Sequence, residues 1–279
     1  MPRNHPLLLS LLAVFAIGYL ASIVTAIRNP AVFSRSLGQE DGPLEYLTAV
    51  FLFWAGLILF RLGWRLRGRL PAYAVALTFL YGLIYLFVAG EEISWGQRIF
   101  GWASGDYFVE NNVQGETNLH NLVIGDHHLA STLFGNWLSP VLLLYLLVLP
   151  MLWRRAEWVR HFVRLLAVPV PAPRESVMAL FATAVVIAMD GIDRNFELYE
   201  YAFSIISLMI FLSPWNAAMY GLDRDRAADG TAIDQRALLG TEVFDDVTPV
   251  NVLDDRMGAG YARVVEDHVI VVRVPAEPW

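Results

Sequence analysis

Six apolar runs, near residues 6–27, 44–63, 72–91, 131–153, 176–193 and 197–220, constrain this chain more than any other feature of it. Each is long enough, or nearly so, to cross a bilayer, which takes about 20 residues of α-helix. In lipid every backbone hydrogen bond must close within its own segment, so such runs become helices. The expected fold class is all-α, a polytopic transmembrane bundle of about six helices. Composition agrees: 56% of the residues are hydrophobic, only 17% are charged, and the mean hydropathy is +0.47, beyond the usual range of a soluble domain. The first run follows Pro2-Arg3-Asn4-His5, and its apolar core exceeds the roughly 7–15 residues of a secretory signal. It reads as a retained anchor.

Charge gives the sidedness. The basic residues are all arginine, and they gather between runs two and three (Arg61, Arg65, Arg67, Arg69) and between runs four and five (Arg154, Arg155, Arg160, Arg164, Arg174). By the positive-inside rule both segments, and both termini, are cytoplasmic, which implies a multi-pass membrane protein with membrane lipids as its immediate partners. Trp153 to Arg160 suits a basic, aromatic stretch along the cytoplasmic surface in contact with anionic lipid, ending in Pro169-Val170-Pro171-Ala172-Pro173. The absence of cysteine excludes disulfides, thiolate metal sites and cysteine nucleophiles. A net charge of −7 and a pI near 5.3 argue against nucleic acid as a partner.

That topology collects carboxylates on the outer side. Glu40, Asp41 and Glu45 fall at the entry of helix two, Glu91 and Glu92 at the exit of helix three, Asp190 and Asp193 at the exit of helix five, Glu197 and Glu200 at the entry of helix six. Glu45 and Glu197 lie near helix N-termini, where the dipole favours a negative charge, and capping accounts for them. Glu91, Glu92, Asp190 and Asp193 lie near C-termini, where it does not, and require arginine, metal, protons or water; Arg98 and Arg194 are the nearest partners. The outer loop 92–129 must cover this layer, and Trp95, Phe100, Trp102, Tyr107 and Phe108 suit an interfacial segment.

Two motifs carry most of the chemistry: Glu91-Glu92-Ile93-Ser94-Trp95-Gly96-Gln97-Arg98 and Gln114-Gly115-Glu116-Thr117-Asn118-Leu119-His120-Asn121. The second reads as a short helix, with Glu116 and His120 on one face, Gln114 and Asn118 on another, and Asn118 three residues from Asn121. A Glu-x-x-x-His pair suits a divalent ion or a carboxylate behind an imidazole base, and a polar cap for loose backbone groups is the structural alternative. Asp126-His127-His128 offers further ligands. Ser94 lacks a nucleophile-elbow motif, and Tyr199 and Tyr201 read as interfacial aromatics. The tail 223–279 is acidic, and Ala262–Val265 with His268–Val274 around Glu266-Asp267 suits a β-hairpin packed on the cytoplasmic loops or on a partner.

On these two motifs, with Glu40-Asp41-Gly42 and Glu45, residues 38–125 resemble a group of bacterial integral membrane proteins that carries no established activity. The outer carboxylates and histidines are also similar to those of membrane zinc hydrolases such as ceramidase-like enzymes, but the His-x-x-x-His of that group is absent, as is the Glu-x-x-His of di-iron bundles. The leading expectation is a metal-dependent hydrolase or transferase on a lipid-linked substrate. Its candidate metal ligands are Glu92, Glu116 and His120 on a divalent ion; Glu91, Glu92, Arg98, Asn118 and Asn121 are the candidate catalytic and orienting residues. An accessory subunit of a larger membrane complex and an ion- or proton-coupled carrier are the alternatives.

Overall fold

The computed structural model describes residues 5–119, 121–124, 127–128, 138–222, 260–265 and 268–273. These are mostly helical. In chain order they form α1 (His5–Arg28), α2 (Pro30–Ser36), α3 (Pro43–Leu66), α4 (Ala72–Glu92), α5 (Gln97–Phe100), α6 (Asp106–Asn111), α7 (Ser139–Leu143), α8 (Leu149–Arg155), α9 (Glu157–Leu165), α10 (Pro173–Ala188) and α11 (Asn195–Leu212). Short strands β1 (Val123–Ile124) and β2 (His127–His128) pair antiparallel within the loop that follows α6. The chain divides into a unit of residues Met1–Ala232 and a second of Ile233–Trp279. In the second, β3 (Gly260–Val265) runs antiparallel to β4 (His268–Arg273), and the rest of the expected tail lies outside the described residues.

Four helices, α1, α3, α4 and α11, are long and apolar enough to cross a membrane, or five spans if α7 to α9 are counted as one bent crossing. The expected fourth, fifth and sixth helices differ from their sequence boundaries for local reasons. The fourth is described only from Leu138. It contains a π-helical turn at Leu144–Val148 next to Pro150, whose ring and missing N–H spoil the regular ladder, and it breaks at Ala156, where α9 leaves at 120°. The fifth stops at Ala188 because Gly191 and Arg194 turn left-handed at φ 81° and 66°. Its 16 residues span about 24 Å, short of the roughly 30 Å apolar core of a bilayer. Asp190 and Asp193 therefore belong to a turn rather than to a helix. The sixth ends at Leu212 before Ser213-Pro214, and Ala217–Tyr220 form a separate 3₁₀ turn.

Helix α11 is the centre of the bundle: 67% of its apolar window is buried within the protein, against 28% for α1 and for α4. Tyr201 on α11 donates to the Val14 carbonyl at 2.7 Å across the face of Gly18, and Tyr19 returns a bond to the Leu198 carbonyl at 3.0 Å. Helices α3 and α4 meet at Gly56 and Gly82. A Cβ at Gly56 would lie 3.0 Å from the Gly82 carbonyl, and one at Gly82 would lie 3.2 Å from the Gly56 carbonyl. Lipid offers no hydrophobic drive for two apolar helices to associate, so close backbone approach through small residues supplies the dispersion energy instead.

The two ends of this bundle differ in charge. Arg69 packs against Gly221 and Arg154 lies over the Trp215 ring at 5.5 Å, so both arginine segments reach the end where α11 stops. There Asn216 clamps the proline-rich linker, accepting from the Val170 amide and donating to the Val168 carbonyl, each at 2.9 Å. The acids occupy the opposite end, where α3 and α11 begin and α4 finishes.

Candidate functional site

The turn after α4 sets the geometry of the acidic end. Ser94, Trp95 and Gly96 follow one another in the left-handed region, at φ 46°, 55° and 76°. This folds the chain back on α4: the Trp95 ring covers Gly90, where a Cβ would sit 2.8 Å from it, and the indole N–H donates to Glu91 Oε1 at 2.7 Å. Left-handed backbone costs a non-glycine residue about 1–3 kcal/mol and persists only where its surroundings hold it. Five non-glycine residues show positive φ among the described residues, and four of them, Asp41, Ser94, Trp95 and Arg194, lie in this polar layer.

The second motif is not a helix. Gly115 turns left-handed at φ 67°, and Asn112 takes over the local backbone, its side-chain oxygen accepting from the Gln114 amide at 2.9 Å while its NH₂ reaches Asn118 Oδ1 at 2.8 Å. The Val113 amide then closes on the Asn121 carbonyl at 2.9 Å, and Asn121 donates its own amide to Asn118 Oδ1 at 3.0 Å. Side-chain bonds of this kind compete with the helical ladder and win where a glycine also breaks it. The shared faces expected at four-residue spacing therefore do not exist. The result is a pinned loop that lays Glu116 and Asn118, both buried, against the Ser94 turn.

Each carboxylate has its own environment. Glu116 accepts from Ser94 Oγ on one oxygen and pairs with Arg98 on the other, and Arg98 also pairs with Asp41. Asn118 donates to Ser94 Oγ at 2.7 Å. Glu91 accepts from Trp95 and, at 2.5 Å, from the Leu119 amide. Arg98 thus serves Asp41 and Glu116 rather than the expected Glu91 and Glu92, because the left-handed turn carries it past the end of α4. Arg194 pairs with Glu40 and, at 3.4 Å, with Glu197. Burial works against its charge, but the Glu40 hydrogen bond and the charges of Glu40, Glu197 and Asp193 outweigh that and raise its pKa, so it is a fixed cation. Glu92 is different. Among the described residues nothing donates a hydrogen bond to it, although it is only 9% exposed.

Glu92 faces a cavity of about 240 Å³ whose walls carry, among the described residues, Glu40, Glu45, Glu91, Glu92, Glu197 and Glu200 against the single guanidinium of Arg194. Asn118, Asn121 and Gln114 complete the polar wall, and Gln114 donates to Glu40. Helices α3, α4 and α11, the turn before α11 and the 113–121 loop all contribute. Of the expected site residues, Glu91, Glu92, Asn118 and Asn121 line this cavity, whereas Glu116 and Arg98 stand beside it. His120 and Asp126, and the side chains of His127 and His128, lie outside the described residues. Among the described residues no group of three or more histidine or carboxylate side chains is placed to hold a metal ion.

Glu40, Glu45, Arg194, Glu197 and Glu200 are wall residues that sequence reasoning left out of the site. Glu45 does accept the Asp41 amide at 2.6 Å, as its position at a helix start suggests, yet its carboxylate also borders the cavity. The available signal was their common membrane face. An open groove of about 600 Å³ adjoins the cavity, sharing Glu40 and Arg194 with it and adding Arg35, Arg98 and Asp193. Comparison with protein families, with curated proteins and with solved structures finds no match.

Proposed function

We propose that this chain is a six-crossing inner-membrane protein, with its arginine-rich end and termini cytoplasmic, that binds an ammonium group of a lipid-linked substrate in the acidic cavity at its outer face. One observation carries this reading: a carboxylate more than nine-tenths buried, Glu92, faces a cavity with six carboxylates and one guanidinium on its walls and takes no hydrogen bond from another described residue. Burying such a group without a partner is costly, which marks it as a contact for something that arrives. About 240 Å³ is the room of roughly eight waters, and the carboxylates are spread around it rather than converging, which suits a small organic cation better than a bare ion held at about 2.3–2.6 Å. Hydrolysis or group transfer is the chemistry proposed, with Glu92 exchanging a proton with the bound substrate and Arg98 attracting its anionic part. The resemblance to bacterial membrane proteins with the same two motifs belongs to this proposal.

The test is thermal unfolding of the purified full chain in mild detergent with ethylammonium chloride against sodium chloride at equal ionic strength. A higher midpoint with ethylammonium, lost in Glu92→Gln, supports the reading. A shift produced by micromolar manganese or calcium and not by ethylammonium would instead favour the divalent-metal reading built on Glu92, Glu116 and His120. A non-enzymatic docking role is the second reading, favoured by the separate compact unit at Ile233–Trp279. Co-purifying subunits lost on truncation at residue 232 would support it.

A further inference from the structure

The acidic cavity and the groove beside it have opposite character and share one wall. Three guanidiniums, Arg35, Arg98 and Arg194, border the groove against the carboxylates Glu40 and Asp193, and the Glu40–Arg194 ion pair separates it from the carboxylate-lined cavity. Arg35 is exposed and makes no ion pair with another described residue. We propose that the site takes a zwitterionic ligand carrying an ammonium and a phosphate on one short linker, the chemistry of a phosphoethanolamine head group, with the ammonium against Glu92 in the cavity and the phosphate in the arginine groove. This rests on the reading of the cavity as a cation site and names what else that cation carries.

Guanidinium groups bind phosphate through parallel N–H···O bonds, and such charge-assisted pairs are about twice as strong as neutral ones. The open groove gives room for the phosphate and for whatever is esterified to it. On the other side, the cavity discriminates between ammonium types. A primary ammonium has three N–H donors to satisfy, and carboxylates and amides satisfy them. A quaternary ammonium has none and is held by aromatic faces, yet Phe196 is the only aromatic side chain on the cavity wall among the described residues. Phosphoethanolamine therefore fits where phosphocholine does not.

Calorimetric titration of the full chain in mild detergent with phosphoethanolamine, ethanolamine, inorganic phosphate and phosphocholine tests this. Phosphoethanolamine is expected to bind at least tenfold more tightly than each of the other three. Arg35→Ala should erase its advantage over ethanolamine while ethanolamine affinity stays unchanged. Equal affinity of phosphoethanolamine and ethanolamine, an unaffected Arg35→Ala, or phosphocholine binding as tightly would overturn the zwitterion proposal and leave the cation site standing. If neither amine binds, the cation site falls as well. Repeating the titration in nanodiscs of phosphatidylethanolamine and of phosphatidylglycerol separates the sources. A tenfold weakening confined to the former supports the lipid head group as the ligand, and equal affinity in both supports the free compound.

Discussion

Glu91 and Glu92 are adjacent in sequence and chemically unlike. Glu91 is tied down by an indole N–H and a backbone amide, Glu116 by a hydroxyl and a guanidinium, while Glu92 faces the cavity. These contacts divide the acids into structural and functional groups. Glu116→Gln should lower the stability of the folded protein by about 1.5–3 kcal/mol, the size of a charge-assisted hydrogen bond, because glutamine keeps one acceptor oxygen for Ser94 and Arg98 where glutamate has two, and loses the charge that pairs with Arg98; the thermal midpoint in detergent measures it. Gly96→Ala should cost about 1–3 kcal/mol, since alanine at φ 76° is strained and its Cβ would meet the Phe100 ring at 2.8 Å; the same melting experiment checks it. A neutral Gly96→Ala would mean the turn is not held as described. At this scale the sequence placed these residues at the acidic end and misjudged their partners. Spacing cannot reveal that Ser94 and Trp95 adopt positive φ, and that turn sends Arg98 to Asp41 and Glu116 instead of to Glu91 and Glu92.

The helices themselves were the most legible part of the chain. The first three apolar runs lie within a few residues of α1, α3 and α4, because uninterrupted apolar sequence in lipid leaves the backbone no alternative. The fifth and sixth runs were over-extended, because an apolar reading passes over the geometry of Gly191 and Pro214. The crossing of α3 and α4 was not legible at all, since Gly56 and Gly82 have meaning only once they face each other. Gly82→Ala should therefore destabilise the bundle by about 1–3 kcal/mol, by pushing a Cβ to within 2.9 Å of Phe60 and 3.2 Å of the Gly56 carbonyl; unfolding by a graded denaturing detergent measures it. Helix α9 turns Val159 and Val163 inward against Trp153 and Val170, and leaves Trp158, Phe162 and Leu165 exposed on its other side. A helix with an apolar stripe outside and arginines at 160 and 164 beside it suits the membrane interface. Because the chain has no cysteine, a spin label on Phe162→Cys reports one position only. Its relaxation should be enhanced by oxygen more than by a water-soluble nickel complex, and the reverse would put α9 in water.

At the scale of the molecule, charge is sorted by end: arginines collect around Trp215 and Gly221, and carboxylates collect where α4 finishes and α3 and α11 begin. The sequence indicated that segregation through its topology, but not the cavity, which needs α3, α4, α11 and the 113–121 loop to meet in space. Four of the five non-glycine residues with positive φ among the described residues cluster at the acidic end, as does the carboxylate without a described partner. A fold that only capped its helices would have no use for either; a binding site gives up stability for both. The most direct measurement is the thermal midpoint of ligand-free Glu92→Gln in detergent beside wild type and Glu116→Gln. If the acidic end is a binding site, Glu92→Gln melts at or above the wild-type temperature, because it replaces a buried carboxyl group to which no described side chain or amide donates. A fall comparable to that of Glu116→Gln, about 1.5–3 kcal/mol, would show that Glu92 is part of a structural cap and contradict the site.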